Sequence, residues 1–315
     1  MTFNLMVDGH CDTLTAVESQ NRTLGKKSPR GQLDLPRMLA GGVNVQFFAA
    51  FIAPEYKDRA LKRCLQLIDT FHAEITRNQN SVELALNSGD ICRIISAGKI
   101  AALLAIEGGE ALAGDLAVLR IYHRLGVRSI TLTWNGRNEL GDGVGEGPNA
   151  GGLSVFGRSV VREMNRLGML IDVAHLAEKG FWDVAETSRQ PFAATHANCR
   201  ALCDHPRNLT DGQIEHLART GGVIGLTFVP EFVAEEKPDL ESLLRHVDHI
   251  ASRFGPQCIG LGSDFDGMDT FLADLRDVTC TPRLAESLLK RGYSCSEVSG
   301  IMGGNWLRLL ERVIQ

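Results

Sequence analysis

Ile100-Ala-Ala-Leu-Leu-Ala-Ile-Glu107, followed by Gly108-Gly109, is an unbroken apolar run closed by one carboxylate. A run this apolar reads as a strand buried on both faces, the pattern of a parallel sheet. Seven other runs share its character: Leu5–His10, Val43–Ile52, Val127–Trp134, Gly168–His175, Phe192–His196, Gly221–Phe228 and Cys258–Phe265. Helical periods lie between them. Leu61, Cys64, Leu65, Ile68, Phe71 and Ile75 form one stripe, and Leu153, Phe156, Val160, Met164 and Leu167 a second. Leu240, Leu243, Leu244, Val247 and Phe254 form a third, each with the i, i+3/i+4 spacing of a helix with one buried face. Thr210 with Gln213 and Ser294 with Glu297 have the spacing of capping boxes that open two more helices. Eight strand–helix units in 315 residues predict an α/β fold, a (β/α)8 barrel of the TIM type, as one domain over residues 1–315. A doubly wound open sheet is the structural alternative.

Composition narrows the function. The 33 Lys+Arg against 38 Asp+Glu give a net charge of −5 without a basic run, which argues against nucleic acid as a partner. Lys26, Lys27 and Arg30, set among Gly and Pro, read as a solvated loop. No apolar stretch is long enough to span a bilayer. Only Met1–Asn4 precede the first strand-like run, with no charged n-region or apolar h-region, so no signal peptide is expected. The eight cysteines include no Cys-x-x-Cys pair and suit free thiols, so the cytoplasm is the expected location.

The polar residues that end the apolar runs carry the chemistry. Run one ends in His10-Cys11-Asp12, the Ile100 run in Glu107, and two more in His175 and His196. The last ends in Asp264-Phe265-Asp266. In a parallel barrel these positions share the C-terminal rim of the strands, where active sites of the fold are built. Taken singly, each has an ordinary explanation. A His-x-Asp triplet is common, a strand-end histidine is usually a structural hydrogen-bonding residue, Glu107 could cap a helix beginning near Glu110, and of Asp264 and Asp266 the second is the better candidate to cap the next helix. Converging on one rim, they read as a metal site. His10, Asp12, Glu107, His175 and His196 are five N/O ligands, too many for one open catalytic zinc. They suit two Zn²⁺ ions, or Mn²⁺ or Co²⁺, with Glu107 bridging, His10 and Asp12 on one metal, and His175 and His196 on the other. Cys11, alternating with its neighbours, points away. His72, His123, His205, His216, His246 and His249 receive no role.

Further motifs run in a fixed order along the chain. They are Asp8-Gly9-His10-Cys11-Asp12, Leu33-Asp34-Leu35-Pro36-Arg37 with Gly41-Gly42-Val43, and Glu107-Gly108-Gly109. Asp172-Val173-Ala174-His175 and the stretch from Thr195-His196-Ala197-Asn198 to Asp204-His205-Pro206-Arg207-Asn208 follow. Gly262-Ser263-Asp264-Phe265-Asp266-Gly267 and Gly303-Gly304-Asn305-Trp306 complete the set. From residue 7 to residue 309 the sequence resembles the membrane (renal-type) dipeptidase family of binuclear zinc peptidases. The resemblance implies a (β/α)8 barrel that cleaves dipeptides, with tolerance for a D-residue at the C-terminal position, and often a homodimer. It implies the same ligand partition, with Arg207 binding the substrate carboxylate and Asp264 shuttling a proton beside the bridging water. One position departs: the family's substrate-contacting histidine, in a Thr-Leu-Thr-His context, is replaced in Thr131-Leu132-Thr133-Trp134-Asn135. Trp134 is then expected to pack against substrate and Asn135 to stand in for the missing donor.

Two other functions compete. A deaminase-like or phosphotriesterase-like barrel would open with His-x-His and often bridge its metals through a lysine, whereas here the residues are His-x-Asp and Glu107. A catalytically silent metal-binding homologue would be expected to lack ligands or Asp264, and all are present.

Overall fold

A computed structural model describes residues 5–315. Met1–Asn4, on which the signal-peptide expectation rests, lie outside them. Nine parallel strands are present: β1 (Val7–Asp8), β2 (Val45–Phe51), β3 (Val82–Leu84), β4 (Ile100–Glu107), β5 (Val127–Thr131), β6 (Leu170–Asp172), β7 (Ala193–Ala194), β8 (Val223–Leu226) and β9 (Ile259–Leu261). β1 pairs with β2, β2 with β4, and β4 through β9 pair in order. β9 returns to β1 at Asp8 and Leu261, which closes an eight-stranded barrel and excludes the open sheet. Helices follow the strands around the outside, and the expected capping boxes open Asp211–Thr220 and Cys295–Ser299.

Two features differ from the sequence expectation. The ninth strand, β3, pairs with Ile100–Ala102 and covers the edge of β4 below the point where β5 begins, at Leu104 and Val127. An uncovered edge there would leave backbone groups unpaired. The strands also stop short of the apolar runs, and only β4 keeps its full length. Buried aspartates end the ladders. Asp172 Oδ1 accepts the backbone N–H groups of Ala174 and Thr195, and Asp8 Oδ1 accepts that of Ser263. Each takes donors that the neighbouring carbonyls would otherwise hold.

Period two along β4 decides where Glu107 points. Ile100, Ala102, Leu104 and Ile106 pack outward against helices. Ala101 and Leu103 face inward with Val7, Val45, Phe47, Leu170, Ala193 and Val223. Glu107 continues the inward set at the top of the barrel. The bottom is plugged by the last helix, Asn305–Val313, whose Trp306 donates Nε1–H to the Leu261 carbonyl at 3.0 Å. A Cβ at Gly9 or Gly260 would run into the Trp306 indole, so both positions require glycine. No helix among the described residues is long and apolar enough to cross a membrane.

His246, given no role from sequence, ties two rim segments together. Its Nδ1 accepts from Cys199 N at 3.1 Å, so Nε2–H donates to the Val233 carbonyl at 2.8 Å. Burial holds this imidazole down to about 4. The unfolded chain, with a histidine pKa of about 6.5, therefore binds the proton first as pH falls. Stability is complete above that value and declines until the folded group titrates near 4. Between pH 7 and 5 this group alone is expected to remove about 2 kcal/mol. Chemical denaturation of His246→Gln in chelator should lack that part of the pH dependence. Equal slopes in both proteins would refute the assignment.

Candidate metal centre

The five expected ligands meet at the inner rim, all buried. Glu107 is the only one inside a strand, and its cap role is not taken up: the turn Gly109–Leu112 has no side-chain cap. His10 lies two residues past β1, and Asp12 stands at the start of helix Thr13–Ser19 without capping it by its side chain. His175 and Asp264 occupy left-handed turns after β6 and β9, each with φ of +65°. Non-glycine residues held there store strain of about 1–3 kcal/mol and cluster at functional sites. Cys11 points away as expected, its thiol directed at the Phe47 carbonyl.

Glu107 divides its two oxygens. Oε2 lies 3.3 Å from His10 Nε2. Oε1 lies 2.9 Å from His175 Nε2 and 3.5 Å from His196 Nε2. Asp12 Oδ2 is 3.6 Å and Asp264 Oδ1 3.8 Å from His10 Nε2. Two overlapping clusters could hold an ion, His10–Glu107–His196 and His10–Asp12–Asp264, and Asp264 stands nearly as close to His10 as Asp12 does.

Hydrogen bonds fix the imidazole tautomers. Asn135 Oδ1, which can only accept, lies 2.7 Å from His175 Nδ1 and so leaves the lone pair on Nε2. His196 Nδ1 is likewise bound, 2.9 Å from Thr195 Oγ1. The Nε2 atoms of His175 and His196 then face each other at 2.8 Å, with Glu107 Oε1 beside them. Electron-rich atoms this close repel unless a cation lies among them. Buried His10 Nε2 and Asp12 Oδ1 have no hydrogen-bond partner among the described residues. The donor set therefore fits metal ions.

Electrostatics suit ligand duty at His175 and His196. Burial, reinforced by Arg207, holds the His175 imidazole down to about 3, and burial also keeps that of His196 far below its ordinary value, so both are neutral. For His10, burial acts downward but is outweighed by Glu107 and Asp12, which raise it well above the ordinary value. Burial alone would raise Glu107, but His10 and His175 hold it low. Burial pushes the Asp264 carboxyl up to about 8.

Arg207 is buried; Nη2 donates to the His196 carbonyl at 2.9 Å, and Nε has no partner. Trp134 packs between Phe51 and His175, with ring centroids 5.6 and 5.9 Å away. Both aromatics line a cleft of about 400 Å³ that also exposes Asp12, Glu107, His175 and Asp264. Asn135, expected to face substrate, lines the same cleft while directing its Oδ1 at His175. Asp266 does not cap the following segment, as its place beside Asp264 suggested. It accepts from Arg22 Nη2 at 2.5 Å, Thr13 Oγ1 at 2.7 Å and Gln32 N at 2.6 Å, which anchors the Asp264 turn to the N-terminal loop. Next in that turn, Gly267 must lack a side chain, because a methyl would collide with Asp12 and Asp264.

Sequence reasoning missed Thr195, Thr131, Asp8 and Ser263, which hold these groups from below. The signal available was a hydroxyl directly preceding a rim residue, as in Thr195-His196 and Ser263-Asp264.

The likenesses to known proteins run along the whole chain. Dipeptidase tcpJ of Claviceps purpurea is 34% identical over 97% of this chain and 76% of its own length. The solved structure of the dipeptidase AC, a metallopeptidase of family M19, superposes with a TM-score of 0.93 at 32% identity, covering 98% of each chain. A metallopeptidase from Rhodobacter sphaeroides, solved with a phosphinate mimic of L-Ala-D-Ala, gives 0.91 at 30%, covering 98% of this chain and 99% of its own. The model for the membrane dipeptidase family matches residues 1–315, so rim, cleft and barrel together place the chain in the membrane dipeptidase family, peptidase family M19.

Proposed function

We propose that this metal-dependent dipeptidase cleaves dipeptides, L-Xaa-D-Xaa among them, with two zinc ions. His10 and Asp12 would hold one, His175 and His196 the other, with Glu107 shared between them. The observation that carries this reading is the divided carboxylate, with one Glu107 oxygen toward His10 and the other toward the facing imidazoles. Nitrogen and oxygen donors without thiolate suit Zn²⁺, with Mn²⁺ and Co²⁺ as substitutes. When bound, such a pair makes hydroxide available near neutral pH and polarises the scissile carbonyl.

The chain's own residues do the rest. Asp264 stands at the mouth of the ligand cluster, where it takes the proton of the attacking water and returns it to the departing amine. Arg207, with its unpartnered Nε, grips the free carboxylate of the dipeptide, which selects against longer chains. Trp134 and Phe51 wall the cleft and press the substrate toward the ligands while excluding water. Acceptance of a D-residue is supported by the ligand of the Rhodobacter sphaeroides relative. Eight free cysteines, two of them exposed, accord with the cytoplasm.

A panel of L-Xaa-L-Xaa and L-Xaa-D-Xaa dipeptides, each with its C-terminal amide, tests the reading. Zinc-loaded protein should cleave the acids, lose activity in chelator and regain it with zinc. The amides should react roughly 100-fold more slowly, the scale of one lost charge-assisted pair. Two bound metals without turnover of any dipeptide would overturn the proposal.

A further inference from the structure

Below the ligands, Asp172 sits buried inside the barrel. Its Oδ2 accepts from Thr131 Oγ1 at 2.5 Å and from Thr195 Oγ1 at 2.6 Å. Its Oδ1 accepts from Thr195 N at 2.8 Å and Ala174 N at 2.9 Å. One carboxylate thereby ties β5, β6 and the end of β7 together. The hydroxyl of Thr195 has a single proton, and the carboxylate at 2.6 Å takes it. What remains on Oγ1 is a lone pair, 2.9 Å from His196 Nδ1. Nδ1 must therefore be the protonated nitrogen, and the Nε2 lone pair is left for the site.

We propose that Asp172, acting through the Thr195 hydroxyl, is the positioning residue of His196: it locks the imidazole tautomer and sets the affinity of the cation site that His196 and His175 form. The inference rests on the two-cation reading above. Without the relay His196 can carry its proton on Nε2, which then points at Glu107 and His175 and closes that site to a cation. The His10–Asp12 site lies outside this chain of bonds and is unaffected by it. Partners of this kind orient metal-bound histidines in general, and their loss typically costs 10- to 100-fold in metal affinity.

The test uses the full chain with Thr195→Val, Thr195→Ser and Asp172→Asn. Zinc affinity at each site is read by chelator competition, and the His196 tautomer by ¹⁵N NMR of metal-free protein. Thr195→Val should weaken one zinc site by about 10- to 100-fold, leave the other within about threefold, and move the His196 proton off Nδ1. Thr195→Ser, which keeps the hydroxyl, should match wild type at both sites. If Thr195→Val does not fold, Asp172→Asn decides: weakening confined to the same site supports the relay. Unchanged affinity, equal weakening of both sites, or an unchanged tautomer in Thr195→Val would overturn it. If wild-type protein holds fewer than two zinc ions, the two-cation reading fails, and the tautomer in metal-free wild type and Thr195→Val still decides the relay.

Discussion

Glu107→Gln is expected to reduce the metal content from two ions per chain to at most one, and to lower dipeptide turnover by roughly 10³-fold or more. The substitution keeps shape and volume but replaces one of two divergent oxygens with an NH₂ group. Whichever way the amide turns, one ligand group faces a donor where it had an acceptor. The oxygen facing His10 and the oxygen facing His175 and His196 are 3.3 and 2.9 Å from their imidazoles; Asp12 and Asp264 stand 3.6 and 3.8 Å from His10, so the His175–His196 side depends most on Glu107. Metal analysis after dialysis, with turnover at saturating zinc, checks both parts. A variant that keeps two metals and near-normal turnover would remove Glu107 from the bridging role.

Asp264→Asn separates two roles that the geometry places close together. Asparagine tolerates the left-handed conformation better than most residues, so the turn with φ of +65° should survive the change. If Asp264 moves the proton, kcat should fall by about 10²- to 10⁴-fold, with two metals retained and KM within a fewfold range. The His10–Asp12–Asp264 cluster supplies the contrary expectation. Loss of one metal in the variant would make Asp264 a ligand, and an unchanged kcat would deny it either role.

Much of this was legible in the sequence because burial on both faces of a parallel strand leaves a visible apolar run. All eight barrel strands fall within such runs, and the polar residues that end five of them are those that meet at the rim. β3 left no comparable trace: Val82-Glu83-Leu84 is three residues long, carries a charge, and pairs with only one edge of β4. The strand ends were also out of reach. Whether a ladder stops at Asp172 or continues to His175 depends on a side chain accepting the backbone N–H of Ala174 in its own segment and that of Thr195 at the end of the next strand. That is a tertiary contact with no periodic signature. The supporting hydroxyls are hidden for the same reason, since a threonine in a strand is ordinary until its partner across the barrel is known. Asp266 shows the converse, a residue that looks locally like a cap but whose partners are Arg22, Thr13 and Gln32.

The seam where β9 meets β1 has a consequence for the order of events in the life of the chain. Asp8 waits for Ser263, 255 residues later, and the proposed ligands are spread from His10 to His196. As the chain is synthesised, a first half carrying His10, Asp12 and Glu107 emerges with β1 open along one edge, before the two remaining histidines exist. Holding such distant ends together costs only slightly more free energy than a shorter loop would. Finding them takes time, because so many contacts join residues far apart in sequence. Loading with metal thus belongs after closure, and until then the nascent protein depends on being shielded from other unpaired strands.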